Sequence, residues 1–196
     1  MATTDGRAFY GFVSILRRLG IPFSARLPWE HFQAALVLTT RGEALHGGDS
    51  ALKFYEDLTG DPVLDSALIL STLSGGKEEL LVGIDPGRRI GVIVQYRGAI
   101  VHEGVYGDPG SVASLLRKLL SLGARRRIVR LGFGEPEGAR AIMREASDVL
   151  GKDYSLELVD ERNTTGGGIR TRKDVEAALR ISRRRGRPAL LPDTAF

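Results

Sequence analysis

The stretch "LLVGIDPGRRIGV", residues 80–92, decides how the rest of the chain is read. It runs as a buried strand through apolar and small residues into Asp85, breaks at Pro86-Gly87, and restarts at once as a second strand. A carboxylate is costly to desolvate and adds nothing to an apolar core, so an acid at the end of a buried strand calls for a reason. Going outward, "RIGVIVQYRG" (89–98) and "AIVHEGVYG" (99–107) are two further strands after tight glycine-containing turns, which predicts an antiparallel meander. "DPGSVASLLRKLLSLG" (108–123) follows as an amphipathic helix with Leu115, Leu116, Leu119 and Leu122 on one stripe. Strand "IVRLGFG" (128–134), helix "EGARAIMREASDVLG" (137–151), strand "SLELVDE" (155–161) and helix "TRKDVEAALRISRRRG" (171–186) complete the order βββαβαβα. Strands joined through helices run parallel, so the expected fold is α/β, a mixed sheet with the meander at one side and helices on its faces.

Upstream, "STLSGGKEE" (71–79) has the small, polar composition of a linker, so residues 1–78 are expected to form one domain and residues 79–196 another. In the first, "FYGFVSILRRLG" (9–20) has helical spacing and a glycine stop, and "AALVLTT" (34–40) reads as a strand. "DSALKFYEDLTG" (49–60) opens with acid and serine and closes with glycine, as a helix does, and "DPVLDSALILSTL" (61–73) is a helix starting at Pro62. This predicts a small α/β domain without a catalytic arrangement, in which Trp29 and Phe32 belong to the core.

Composition narrows the function. Of 196 residues none is cysteine, which excludes disulfides, cysteine zinc sites and thiol catalysis, and three scattered histidines (His31, His46, His102) argue against a histidine metal cage. No apolar run approaches the roughly 20 residues of a membrane span, and the start "MATTDGRAFYGF" lacks a basic-then-apolar leader pattern, so a soluble, cytoplasmic protein without a membrane partner is expected. Arginine far outnumbers lysine, and Asn163, Gln33 and Gln95 are the only side-chain amides, an avoidance that fits a thermophile. The net charge of +4 is unevenly divided: residues 1–78 carry −2 and residues 79–196 carry +6. A basic domain concentrates anions, nucleic acid above all.

Ligands of an open sheet with helical crossovers bind beyond the carboxyl ends of the parallel strands. Three strands end at that edge in acid: Asp85, Glu135, and Asp160-Glu161. Asp174, expected in the first turn of the last helix, begins near the same edge. Crowded carboxylates repel unless a cation lies between them. Oxygen ligands without histidine or cysteine suit Mg²⁺ or Mn²⁺, and such ions hold a phosphodiester and activate water. The candidate metal ligands are therefore Asp85, Glu135, Asp160, Glu161 and Asp174, with Asp85, Asp174, Glu135 and Glu161 in the catalytic role. The candidate nucleic-acid contacts are Arg88, Arg89, Arg162, Arg172, Lys173, Arg183, Arg184, Arg185 and Arg187.

"GIDPGRRIGV", the order βββαβαβα, "VDERNTT" (159–165) and "KDVEAALRIS" (173–182) together resemble the ribonuclease H-like superfamily, in the branch of the RuvC Holliday junction resolvases and the YqgF proteins. The likeness covers residues 79–196. It implies a ribonuclease H-like sheet, a Mg²⁺- or Mn²⁺-dependent nuclease or resolvase acting on branched DNA or structured RNA, and, as for resolvases on two-fold substrates, a homodimer as one arrangement. Gly83-Ile84-Asp85-Pro86-Gly87 stands where such proteins have their first-strand turn, Asp160-Glu161-Arg162-Asn163-Thr164-Thr165 where they have the fifth-strand motif, and Asp174 with Ala177 and Ala178 where they have the last-helix acid. The chain departs from the pattern at Arg88, where family members carry Ser or Thr, and the second ligand is either Glu135, as in resolvases, or Glu161.

Plainer readings stand beside these. Asp-Pro-Gly is a common type I turn sequence. Thr171 with Asp174 resembles a capping box, and an acid in a first helical turn gains about 0.3–1 kcal/mol from the dipole. Glu161 can pair with Arg162 on a solvated rim, and the glycines at 166–168 can be a simple connection. Arginine runs such as Arg125-Arg126-Arg127 also serve as ordinary surface charge and dipole partners. The alternative function is a catalytically weak or inactive nucleic-acid-binding module of the same fold. An actin-like or sugar-kinase ATPase, which needs two such domains, does not fit one.

Overall fold

The computed structural model describes residues 1–43, 45, 50–73, 77–160 and 170–189, the first three of the last segment as backbone alone. The chain divides into two compact units, Met1–Gly76 and Lys77–Phe196, so the change falls inside the stretch 71–79.

In the first unit, helix α1 (Gly6–Leu19) starts at Asp5, whose carboxylate accepts from the Ala8 N–H at 2.8 Å, and stops at Gly20, left-handed at φ 64°. Its stripe of Ala8, Phe12, Ile15 and Leu16 is buried with Leu38 and Ile69, each large side chain contributing roughly 1.5–3 kcal/mol. Strand β1 (Leu36–Thr39) pairs in parallel with β2 (Ala51–Phe54), and α2 (Pro62–Thr72) begins at Asp61, which accepts from the Val63 and Leu64 N–H groups.

Two expectations fail in this unit. The described residues of 49–60 form no α-helix: Ala51–Phe54 is the strand β2 and Tyr55–Asp57 a single 3₁₀ turn. Of the signals for that helix, Asp49 lies outside the described residues and Gly60, at φ 81°, follows the turn; within the turn the Asp57 carboxylate accepts from the Phe54 N–H at 3.4 Å. A parallel partner in β1 outweighs local helical preference, and the Tyr55 ring packs edge-on to Phe12 and fills the space beside Gly11. Trp29 is 59% exposed and Phe32 only half-buried, because α1, β1 and α2 already fill the core.

In the second unit, the elements are β3 (Glu79–Asp85), β4 (Ile90–Tyr96), β5 (Ala99–Tyr106), α3 (Pro109–Leu119), β6 (Arg126–Gly132), α4 (Pro136–Glu145), β7 (Ser155–Val159), α5 (Arg170–Arg183) and the short β8 (Arg187–Pro188). The sheet order is β5-β4-β3-β6-β7-β8. Pairs β3/β4, β4/β5 and β7/β8 are antiparallel, while β3/β6 and β6/β7 are parallel, so this is an α/β fold on a mixed sheet.

Helices cover both faces. The Tyr154 hydroxyl donates to the Leu116 carbonyl at 2.9 Å, and Arg127 Nη2 donates to the Leu122 carbonyl at 2.8 Å, which ties the α3 side to one face; α5 crosses the other. Helix α4 stops at Glu145 rather than reaching 151, because the following turns return the chain so that Asp153 and Tyr154 both donate to the Val149 carbonyl and Tyr154 is buried. The sequence reading misses β8. It depends on Gly186, where a Cβ would come within 2.7 Å of the Leu158 carbonyl oxygen. Among the described residues no helix is long and apolar enough to cross a membrane.

Candidate functional site

The parallel register of β3, β6 and β7 brings their carboxyl ends to one edge of the sheet. Asp85 is the last residue of β3, Glu135 follows β6 as the N-cap residue of α4, and Asp160 follows β7. The edge is thus the acidic one that the strand endings imply.

What brings Asp174 to it is the packing of α5. Gln95 Nε2 donates to Ser182 Oγ at 3.0 Å. A Cβ on Gly83 would come within 2.5 Å of the Ala178 carbonyl oxygen and 2.6 Å of Ser182 Cβ, and a Cβ on Gly91 would overlap the Asp174 carbonyl. The helix therefore runs antiparallel to β3, each turn of about 5.4 Å matching two strand residues at about 6.6 Å. Asp85 and Gly91 are directly paired across the β3–β4 ladder, and paired residues share a face. Asp85 thus projects from the α5 face, beside the turn of α5 that carries Asp174.

The turn 86–89 links the other parts. Arg89 Nε is 3.5 Å from Asp174 Oδ2, with side chains 47% and 24% exposed. That Asp174 oxygen is sealed from solvent and accepts no hydrogen bond. On the other side, Glu135 Oε2 would be 3.6 Å from a Cβ at Gly87, and Gly138 of α4 packs on Pro86. Glu135 is exposed and makes no side-chain cap. The turn lies between Asp174 and Glu135.

The structure corrects the capping reading of Asp174. Helix α5 begins at Arg170, so Thr171 lies inside it and Asp174 is its fifth residue; the first turn holds no acid. Of the other candidates, Asp160 lines a cavity with Phe133, and its carbonyl accepts from Arg184 Nη1 at 3.2 Å. Glu161, Arg162 and the side chain of Arg172 lie outside the described residues. Among the described residues, no three His, Cys, Asp or Glu side chains form a group able to hold a metal ion.

The basic residues separate into two sets. At the opposite edge, Arg125 pairs with Glu78 at 2.6 Å and Arg126 with Glu79 at 3.6 Å, both as exposed surface pairs, while Arg127 donates to backbone carbonyls. At the acidic edge and the end of α5, Arg88, Arg183, Arg185 and Arg187 are exposed and Lys173 is half-buried. The end of α5 is fixed by Arg130, which reaches the Ser182 carbonyl with Nη1 and Glu157 with Nε at 2.8 Å.

Sequence reasoning missed Phe133, 36% exposed and just beyond β6, its N–H donating to the Val159 carbonyl at 3.0 Å. The signal was available: "LGFGEPEG" places a large aromatic between glycines, past the last residue of a buried strand. Compared with protein-family models and with curated proteins, the chain matches none.

Proposed function

We propose that the second unit is a ribonuclease H-like domain of the RuvC and YqgF kind, a divalent-metal-dependent nuclease or resolvase that hydrolyses phosphodiesters of branched DNA or structured RNA. The observation that carries this reading is the close approach of α5 at Gly83 and Gly91, which sets Asp174 beside Asp85 at the carboxyl edge. A sheet of three antiparallel strands continued by two parallel ones, with α5 across β3 and β4, supports it.

The donors fit a hard divalent ion. They are carboxylate oxygens only, and the Asp174 Oδ2 atom is sealed from water with no hydrogen-bond donor while a guanidinium faces it, as at a place suited to positive charge. Asp85 and Asp174 would hold the ion; with Glu135 they form no three-carboxylate group, so the set would be completed by Glu161, which lies outside the described residues. Bound there, Mg²⁺ or Mn²⁺ supplies a deprotonated water and neutralises charge developing on phosphorus oxygens. Arg88 and Lys173, flanking these acids, orient the phosphate group.

Asp85→Asn tests the reading. It removes the charge without the bulk, so Mg²⁺-dependent cleavage of a four-way junction and of a structured RNA should fall at least 100-fold, roughly the scale of losing one transition-state charge contact, with melting unchanged. Undiminished cleavage would refute the mechanism.

The Arg89–Asp174 ion pair favours a second reading, a nucleic-acid-binding module whose acids are satisfied internally. Melting with and without millimolar Mn²⁺ separates the two. A working site is stabilised by the ion through linkage, whereas an internally paired one does not respond.

A further inference from the structure

A cavity of about 620 Å³ opens beside the acidic edge, between the end of β6 and the paired strands β7 and β8. Its size is that of a small-molecule site. Phe133, Leu158 and Pro188 give it an apolar wall, Arg185 and Arg187 stand on it as cations, and Asp160 lines it at the end of β7.

Three features make this more than a surface dent. Phe133 keeps 36% of its surface in solvent, although a ring at a strand end is readily tucked onto the sheet. Arg185 and Arg187 are both exposed, and neither is paired with a described carboxylate. The backbone that carries them is fixed: Arg187 and Pro188 pair with Leu158 and Glu157, and the Gly186 N–H donates to Glu157 Oε2 at 3.2 Å. A rigid concavity with a ring face and two guanidiniums unpaired among the described residues suits a planar aromatic ligand bearing an anion.

We propose that this cavity is a nucleotide pocket, in which one base of a single strand lies against the Phe133 ring and its phosphate rests on Arg185 and Arg187. The choice of ligand rests on the nucleic-acid part of the function proposed above, but not on metal binding or catalysis. Asp160 sets the polarity, since a phosphate is repelled from its end of the cavity and drawn to the arginine end. Bases of any identity present a ring face, so the pocket selects an unpaired nucleotide rather than a sequence.

The test is fluorescence anisotropy of the full chain in EDTA at low salt, with labelled octamers of deoxythymidine and of uridine and a labelled four-way junction. Phe133→Leu should weaken octamer binding about 5- to 140-fold, the span that corresponds to losing one stacked base, while Phe133→Trp retains it. Arg185→Gln with Arg187→Gln should lower the slope of log affinity against log salt by about 1.4, two single-strand phosphate contacts. Melting of each variant checks that the fold is intact, and the part-exposed ring makes that the expected result. Octamer binding equal for the unmodified chain and Phe133→Leu overturns the pocket, and so does binding of the junction alone; both leave the nuclease reading in place. Failure to bind any of the three probes overturns the pocket and the nucleic-acid reading together.

Discussion

Arg89 stands in the turn between β3 and β4, beside Asp174. Its guanidinium lies against the one sealed oxygen of Asp174, so on the proposed reading a divalent ion must displace it. A half-exposed ion pair is worth up to about 1 kcal/mol, and tenfold in affinity corresponds to about 1.4 kcal/mol. Arg89→Ala should therefore raise Mn²⁺ affinity about three- to fivefold, read by electron paramagnetic resonance of free Mn²⁺; unchanged or weaker binding would remove Arg89 as an internal counter-ion. A different carboxylate matters for stability. Burial works against charge on Glu43, but the Thr4 N–H and the hydroxyls of Thr3, Thr40 and Thr4 outweigh it and hold the carboxyl at about 2. A lowered value means stability present at and above the ordinary value of 4.5 and lost as pH falls toward 2. Glu43→Gln should cost on the order of 1 kcal/mol at neutral pH, discounted for its partial exposure to solvent, and the gap to the unmodified chain should close between pH 4.5 and 2. Melting curves that stay equally separated down to acid would contradict this.

At the scale of elements, the seam between α5 and the β3–β4 hairpin links fold to site. The obstacle at Gly91 is the backbone of Asp174 and at Gly83 the backbone of Ala178, neither of which can swing aside. Gly91→Ala should then destabilise the second unit by about 1–3 kcal/mol or more and abolish any Mn²⁺-induced rise in melting temperature, because α5 must lift Asp174 from Asp85. Gly123→Ala, with open space around it, should change stability by no more than about 0.5 kcal/mol. Insensitivity of the metal response to Gly91→Ala would separate the seam from the site. Most of these elements are legible locally: helices α1, α2 and α3 carry Asp caps, and glycine or proline signals mark their ends. The exceptions share a cause. Strand β2 forms because β1 offers it a partner, β8 because Gly186 lets the chain press on β7, and α4 ends early because Tyr154 is drawn under α3.

Across the molecule, the excess positive charge lies in residues 79–196, and the structure distributes it by pairing. Arg125 and Arg126 at the amino edge of the sheet lie within ion-pair distance of Glu78 and Glu79, while Arg88, Arg183, Arg185 and Arg187, exposed toward the acidic edge and the end of α5, are paired with no described carboxylate. The sequence by itself determined the α/β class, the alternation of strands and helices, and the placement of Asp85, Glu135 and Asp160 at strand ends, since periodicity, caps and turn residues act over a few neighbouring positions. Only the tertiary structure decided that the Asp174 backbone packs on Gly91, the ladder partner of Asp85, that Arg89 faces Asp174, and that Phe133 opens onto a cavity with Arg185 and Arg187. Those relations depend on how close a helix can approach a sheet and on which cations find carboxylates, and both are settled by packing between segments far apart along the chain.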